Sequence, residues 1–577
     1  MGNVKIPYGY KLPVNPQKSQ GRSAWGFVTP KQDANPQIQC IPPKRVLPII
    51  FIPGIMGSNL RTTASRQKLI GSENNIAWRP DNKSLVIAQC HDTPRERQMR
   101  LDFMTTEVDR YDPLTNPTGD PKETSDKRNE SVVYSSGYGG FKKLDGPMLQ
   151  ADDPRMEGAR TKDQKSRARG WGEVFFTSYQ QILSTCEVRL NSAFTMGKID
   201  LFLKKFVVDK SPSVWQAHPE TSMENLDEDA IVKAVQGCWF PVHAMGYNWL
   251  KGNGSSAVEI AGRIKELIKN YNSDGYQCEK VILVTHSMGG LVARAVIHPD
   301  IGGVNEKILG VVHGVMPAMG AAAAYKRMRC GIEGEGVAGR VTAALLGNNA
   351  VDVTAVLADA QGALELLPNR MYGQGWLQLV QKGKVIQSWP KEYPYEEIYK
   401  INNKWFSLFR EEFINPSEME FRGFSFTSGL LESAKKFHEL IGDTYHQQSF
   451  AHYGADGERK AWHKVIWKMP RDAQVNDLES LILFEDDLEG QLTLRESKSG
   501  TNNSSMPLLK VKMLEAADPG DQTVPAHSAD AQLRSERFKG IFRQTGYEDQ
   551  DSYNDSAVIA STLYCLLKII GTMKWER

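Results

Sequence analysis

The sequence predicts an α/β fold with a mostly parallel central sheet and large, mainly helical insertions. Residues 281–284 are apolar and mostly β-branched, a glycine-containing turn follows them, and an apolar helix is expected from residue 291, the pattern of a buried strand, a tight turn and a helix. A second apolar run at 45–52 leads into a glycine-flanked turn, and the turn Asp-Pro-Gly-Asp-Gln-Thr-Val-Pro at 518–525 follows a late strand. Strands that alternate with helices in this way predict a parallel sheet.

The chain is long enough for a large core and too long for one simple domain without insertions. It has 577 residues, whereas single cores stop growing at roughly 250–300 residues. The predicted segments are an irregular N-terminal surface arm (1–43), a core built from 44–60, 236–318 and 446–577, a first cap or lid insertion (61–235) and a second one (319–445).

The composition is that of an ordinary soluble globular protein. Apolar residues make up 40% and charged residues 24%, and the net charge of +2 offers no basic excess for binding nucleic acid. No run of 18 apolar residues predicts a membrane span, and the first residues lack the apolar segment of a signal peptide. We therefore expect synthesis in the cytoplasm and, if the protein is exported, export without that signal.

The seven cysteines are scattered, odd in number and without C-x-x-C spacing. This pattern is typical of reduced core cysteines rather than of disulfides or metal ligands. We expect neither a metal nor a cofactor.

Ser287 is the first candidate catalytic residue. A serine at the apex of a strand–turn–helix stands out at the carboxyl end of the strands, and its backbone N–H lies near a helix N-terminus that favours negative charge. Gly289 and Gly290 allow the helix to pass close to a neighbouring strand. The stretch Thr-His-Ser-Met-Gly-Gly (285–290) resembles the nucleophile elbow of α/β-hydrolases, with Thr285 in place of the first glycine of G-x-S-x-G. The alternative is an ordinary buried strand–helix unit with an incidental serine.

The turn after the first core strand carries a second motif. Pro-Gly-Ile-Met-Gly-Ser-Asn-Leu at 53–60 resembles the oxyanion loop of lipases similar to lecithin:cholesterol acyltransferase. The resemblance implies that the backbone N–H groups of Met56 and Met288 would hold the oxyanion.

The third motif supplies an acid, but the histidine that should follow it is missing. Gly-Asp-Gln-Thr-Val-Pro (520–525) resembles the loop whose aspartate orients the catalytic histidine in the same lipases, which implies that role for Asp521. Members of the family carry the histidine after the last strand, at the position of Asp549. Here His527 is the one histidine beyond Asp521.

Three assignments of the general base stay open. A serine hydroxyl needs a base, and imidazole suits this role because its pKa lies near neutrality. His527 could act, Asp549 could leave the triad incomplete, or His452 or another distant histidine could fill the gap. A carboxylate at 549 would need a raised pKa, which a nearby Asp521 would promote.

Together the three motifs identify the chain as similar to lipase-type α/β-hydrolases of the GPI-inositol deacylase-like and lecithin:cholesterol acyltransferase-like groups. The stretches Asn-Arg-Met-Tyr-Gly (369–373), Ala-His-Tyr-Gly-Ala-Asp (451–456) and Gly-Thr-Met-Lys-Trp (571–575) are most similar to antibacterial phospholipase effectors of type VI secretion. This resemblance implies hydrolysis of glycerophospholipid acyl esters in the membrane of a target cell, reached from its periplasm. It also implies a cognate immunity protein and a component of the secretion spike as partners, and no cofactor.

Two other functions compete with this one. Asp549 favours a catalytically impaired binding protein on a hydrolase scaffold, and an intracellular esterase or acyltransferase acting on a soluble substrate would carry the same motifs. The small-residue-rich helices expected at 319–347 and 351–367 either pack structurally or form a mobile apolar lid over the serine.

Overall fold

The computed structural model describes residues 43–130, 149, 151–152, 158–195, 198–219, 223–334, 336–497 and 507–575, and the backbone of three strands before residue 43. The strands are β1 (Val14–Gln17), β2 (Gly21–Phe27), β3 (Pro36–Ile41), β4 (Arg45–Val46), β5 (Ile49–Ile52), β6 (Leu60–Thr62), β7 (Ile76–Trp78), β8 (Thr106–Val108), β9 (Phe194–Thr195), β10 (Lys198–Ile199), β11 (Cys238–Trp239), β12 (Val242–Ala244), β13 (Val281–His286), β14 (Ile308–Gly314), β15 (Leu377–Gln381), β16 (Lys384–Trp389), β17 (Ser449–Gly454), β18 (Asp456–Ala461), β19 (Val465–Lys468), β20 (Leu481–Asp486), β21 (Gln491–Glu496), β22 (Leu509–Met513), β23 (Asp518–Gly520) and β24 (Phe538–Gln544).

The α-helices are α1 (Ala64–Ile70), α2 (Lys83–Gln89), α3 (Pro94–Arg100), α4 (Ser125–Arg128), α5 (Lys162–Ala168), α6 (Phe176–Asn191), α7 (Leu201–Leu203), α8 (Glu228–Val235), α9 (Asn253–Ser273), α10 (Gly289–Ile297), α11 (Ala322–Cys330), α12 (Gly336–Leu346), α13 (Ala350–Leu357), α14 (Gln361–Leu364), α15 (Phe424–Ile441), α16 (Ala526–Ala529), α17 (Ala531–Arg534) and α18 (Ser556–Ile570). Within the described residues, none of these helices combines the length and apolar character needed to cross a bilayer.

The central sheet has six parallel strands in the order β12-β5-β13-β14-β17-β24. Its strands are buried on both faces, as their continuous apolar sequences predict. Ile50 and Leu283 pack on the side of α9 and α10, whereas Phe51 and Val284 pack on the side of α6 and α18. The predicted α/β class with a mostly parallel sheet is confirmed, and β13, which leads to Ser287, lies in the middle of the sheet.

Helix α6 covers one face of this sheet although it belongs to the predicted first cap, 61–235. Its apolar side, including Tyr179, Ile182 and Leu183, is buried against the same cluster as Phe51 and Val284. This part of the insertion therefore forms a layer of the hydrolase core, because the sheet needs an apolar cover on both faces.

A second six-stranded sheet has the order β16-β15-β19-β22-β21-β20. Its strands β15 and β16 come from the predicted second insertion, and β19–β22 come from the segment 446–577 that was predicted as core. The predicted core and insertion segments do not include this separate sheet. The first strands of the chain, β1–β3, pair antiparallel, so the predicted irregular arm contains regular backbone pairing.

Candidate active site

Ser287 stands in the turn between β13 and α10. Its φ of +48° lies in the left-handed region, which side-chain-bearing residues rarely adopt. The Ser287 N–H donates to the carbonyl of Gly314 at 2.8 Å, and this bond holds the turn against the neighbouring strand. The serine is only 4% exposed, yet it lines a cavity of the protein. This is the strained turn expected of a nucleophile elbow.

Gly289 makes the close approach of helix to sheet possible. A Cβ atom at Gly289 would lie 2.5 Å from the carbonyl oxygens of both Ile52 and Pro53, and backbone atoms at the end of a central strand cannot move aside easily. Gly54 is equally confined, because a Cβ there would lie 3.1 Å from the Cβ of Ser287. The loop after β5 therefore passes directly beside the serine.

The same loop carries Met56, whose φ is +61°. The indole Nε1–H of Trp78 donates to the Met56 carbonyl at 2.7 Å, which orients this peptide. Within the described part of the chain, the N–H groups of Met56 and Met288 have no backbone acceptor outside regular helices and strands. Two free N–H groups on either side of a serine can stabilise the negative charge of a tetrahedral intermediate.

Asp549 and Asp521 lie together beside the serine. The Ser287 hydroxyl donates a hydrogen bond to the carboxylate of Asp549, and the Asp549 N–H donates to the Asp521 carbonyl at 3.0 Å. The Oδ1 atom of Asp521 accepts hydrogen bonds from the N–H groups of Thr523 (3.2 Å) and Val524 (2.7 Å).

The pKa of each of the two carboxyl groups is raised above its ordinary value in water. Burial raises the pKa of Asp521 well above its ordinary value, and the negative charge of Asp549 raises it further. Burial also raises the pKa of Asp549, while His286, Arg327 and the hydrogen bond from Ser287 oppose this shift. Because like charges cannot both be ionised cheaply in a buried site, the pair favours one shared proton.

The predicted base role of His527 is not supported by its position. The Nε2–H of His527 donates to the carbonyl of Tyr372 at 2.8 Å, and its ring stacks on His463 with centroids 3.9 Å apart. Helix α16 turns the side chain away, and His527 does not line the cavity that contains Ser287. Asp549 therefore occupies the place beside the serine that the family gives to histidine.

His452, the second histidine considered, is buried within β17. Its ring contacts Tyr553 with centroids 5.1 Å apart, and burial lowers its pKa to about 3. It does not line the serine cavity either, so its position gives no support to a role as base.

A hydrogen-bonded relay that sequence reasoning missed joins the two loops of the site. The Gly54 N–H donates to the Tyr179 hydroxyl (3.3 Å), and that hydroxyl lies 3.1 Å from His286 Nδ1. His286 Nε2 lies 2.8 Å from the carbonyl oxygen of Asp549, which can only accept, so Nε2–H donates to it. Both nitrogens of His286 are thereby occupied. Tyr179 lies in the charge-rich first insertion, where no local pattern distinguishes it.

The cavity above Ser287 has a volume of about 630 Å³, within the range of small-molecule sites. Its apolar wall comes largely from the second insertion: Ala321, Ala324, Met328, Leu357, Ala363 and Leu366. Arg327 also lines the cavity and lowers the pKa of both carboxyl groups. It donates to Glu333 at 2.9 Å and to the Thr523 hydroxyl at 3.2 Å. The cavity thus combines an apolar wall with charged groups of both signs.

In the part of the chain that the structure describes, no group of three or more His, Cys, Asp or Glu side chains is arranged to hold a metal ion.

Comparisons with known proteins agree with this geometry. The family described as PGAP1-like alpha/beta domain matches residues 256–318, which run from α9 past Ser287 and β14. Among solved structures, a chain in the crystal structure of the Tle4-Tli4 complex is similar, with a TM-score of 0.70, 28% sequence identity, and coverage of 92% of this chain and 99% of that chain. No curated protein matches the sequence.

These matches confirm the predicted resemblance of the chain to lipase-type α/β-hydrolases and to type VI secretion phospholipase effectors. They also support an esterase or lipase activity in general terms. The roles of individual site residues stay predictions that rest on the geometry described above.

Proposed function

We propose that this protein is a serine hydrolase that cleaves acyl esters of membrane glycerophospholipids. The observation that carries the proposal is Ser287 itself: a left-handed serine between a central strand and a helix, hydrogen-bonded to a buried carboxylate and facing an apolar cavity. An apolar cavity suits an acyl chain, and the nearby Arg327 suits an anionic phosphate.

In the proposed reaction, the Ser287 oxygen attacks the acyl carbonyl and the oxyanion is held by the N–H groups of Met56 and Met288. The tetrahedral intermediate expels the lysophospholipid alkoxide, which takes up the proton released by the serine. Water then hydrolyses the acyl-enzyme and releases the fatty acid. None of these steps calls on a metal or cofactor.

The proposed biological role is that of an antibacterial effector that acts on the membrane of a target cell from its periplasm, carried there by a secretion spike component and held in check by an immunity protein. The likeness to a chain of the Tle4-Tli4 complex supports this role, because that structure is a complex of two proteins. Expression of this chain with a periplasmic export signal should slow bacterial growth, whereas cytoplasmic expression or periplasmic Ser287→Ala should not.

The activity is tested by fatty-acid release from glycerophospholipid vesicles. We expect release by the protein and by Ser255→Ala, an exposed serine of α9, and a loss by Ser287→Ala on the order of 10³-fold or more. Equal turnover of short-chain soluble esters without vesicles would favour the intracellular esterase instead. No release by the protein or by Asp549→His would favour the binding protein.

A further inference from the structure

The group beside the Ser287 hydroxyl is a carboxyl group and not an imidazole. Asp549 and Ser287 line the same cavity, and Ser287 lowers the pKa of Asp549 as a hydrogen-bond donor, so Asp549 is placed to take up the serine proton during attack. Its backbone is held from two sides, since its N–H donates to Asp521 at 3.0 Å and its carbonyl accepts from His286 at 2.8 Å. Asp549 is thus a rigidly positioned group and not a loop residue that points there by chance.

The two carboxyl groups have complementary unpaired atoms. Among the described residues, Asp549 Oδ1 and Asp521 Oδ2 are buried oxygens without a hydrogen-bond partner. A buried carboxylate oxygen without a donor is costly. The negative charge of Asp549 acts on Asp521, so one proton on the pair lowers the cost of burying both groups.

The other groups that face Asp549 decide the charge of this pair. His286 from β13 gives its proton to the Asp549 carbonyl, and Tyr179 from α6 is a neutral phenol because burial raises its pKa. Tyr547, from the same loop, is likewise a buried neutral phenol. Arg327 from α11 is the neighbouring cation, and it already forms an ion pair with Glu333. Burial outweighs the opposing effects of His286 and Arg327 on the pKa of Asp549, so the surroundings do not favour two negative charges on the pair.

We propose that Asp549 is the general base of this hydrolase and that Asp521 shares the remaining proton with it, so that the site works as a serine beside a monoanionic carboxyl pair. This inference rests on the proposed function. It assigns the base position to the residue that interrupts the family motif.

The proton balance closes within the pair and the substrate. The Asp549 carboxylate takes the Ser287 hydroxyl proton as the bond from serine oxygen to acyl carbon forms. The resulting carboxylic acid gives that proton to the leaving alkoxide as the ester bond breaks. Asp549 then takes a proton from the attacking water and returns it to the serine oxygen as the acyl-enzyme breaks, which restores the starting state.

The pH profile identifies the base. Hydrolysis of p-nitrophenyl butyrate would be followed for the protein, Asp549→His and Asp549→Asn, read at a wavelength where the product signal does not depend on pH. An imidazole base loses activity below its pKa of about 6.5. We expect the profile of the protein to lie on the acid side of the Asp549→His profile, and identical profiles would overturn the inference.

The loss of hydrolysis rate in Asp549→Asn measures how much the base contributes. Asp549→Asn keeps the shape of the side chain but cannot accept the proton, so we expect a loss of about 10²–10⁴-fold. The matched control is His527→Gln, which can still donate to the Tyr372 carbonyl and should keep the full rate. Circular dichroism would verify that Asp549→Asn is folded. Asp549→Glu provides a second variant, in which partial activity is expected.

The outcomes separate the two proposals. Activity that survives Asp549→Asn means another base and overturns this inference, while the hydrolase proposal stands. An inactive protein that Asp549→His activates also overturns it and shows a hydrolase scaffold without its base. If no variant is active, Asp549→His included, the proposed function fails and this inference with it.

Asp521 is a positioning residue in this scheme, and it has its own readout. Asp521→Asn keeps an oxygen for the N–H groups of Thr523 and Val524 but removes the proton that Asp521 shares with Asp549. We expect the acid limb of the rate profile to move to higher pH, because the ionised Asp549 then loses the strong hydrogen bond from that proton. A merely structural role would lower the rate without moving this limb, and that result would overturn the shared-proton part of the inference.

Discussion

Gly289→Ala is the most specific test of how the elbow is built. The new Cβ would lie 2.5 Å from the carbonyl oxygens of Ile52 and Pro53, and contacts of this kind essentially never fall below 3.0 Å. Helix α10 and the end of β5 must therefore move apart. Overpacking of this kind costs about 1–3 kcal/mol in the free energy of unfolding.

The displacement also reaches the chemistry, because Pro53 leads directly into Gly54 and Met56. A misplacement of about 1 Å at a reacting group can cost about 100-fold in rate. We expect Gly289→Ala to lower the thermal unfolding midpoint and to lower kcat/KM for a short-chain ester by roughly 10- to 100-fold.

The matched control is Gly262→Ala. Gly262 lies on the exposed side of α9, and a Cβ there meets nothing within 4 Å. Alanine is favoured over glycine in a helix by about 1 kcal/mol, so this variant should be slightly more stable and fully active. If Gly289→Ala behaves like Gly262→Ala, the close packing of α10 on β5 that we describe is absent.

Three further predictions follow from the site and its surroundings. Ser287→Gly should be inactive yet unfold at a higher temperature than Ser287→Ala, because glycine relieves a left-handed conformation that costs about 1–2 kcal/mol; equal midpoints would show that the turn is unstrained. Tyr179→Phe should lower kcat, since it breaks the relay from Gly54 to His286, whereas Tyr111→Phe, whose hydroxyl contacts Asp126, should not. Burial raises the pKa of Glu365 from 4.5 to about 8, so the folded state binds this proton more tightly than the unfolded state. The stability of the protein relative to Glu365→Gln should fall as pH rises from 4.5 to 8 and level off above 8. A difference between the thermal midpoints of the protein and of Glu365→Gln that stays constant across this range would contradict it.

The parts of the fold that could be predicted are those that local sequence determines. The stretch 281–297 contains its own strand, turn and helix, so β13, Ser287 and α10 were all predicted. The apolar spacing within 255–271 and 557–573 predicts one helix in each stretch, and the structure has α9 (Asn253–Ser273) and α18 (Ser556–Ile570) there. Apolar periodicity over many residues gives such helices directly.

The second sheet and the carboxyl pair depend on contacts between distant parts of the chain. Strand β15 pairs with β19 across the whole of α15 and β17, and nothing local in either strand specifies this partner. The hydrogen bond between Asp549 and Ser287 likewise joins two loops that only the fold brings together. The sequence marked position 549 because it departs from the family motif, but only the structure shows that its side chain contacts the serine.

Covalent capture by a fluorophosphonate tests the central claim most directly, because this reagent reacts with a serine only where a base and an oxyanion hole activate it. Intact-protein and peptide mass spectrometry would be applied to the protein and to Ser287→Ala after the same exposure. We predict a single adduct on the peptide that contains Ser287 and no adduct in the variant. An adduct on another residue, or none on the protein or on Asp549→His, would contradict the assignment of Ser287 as the nucleophile.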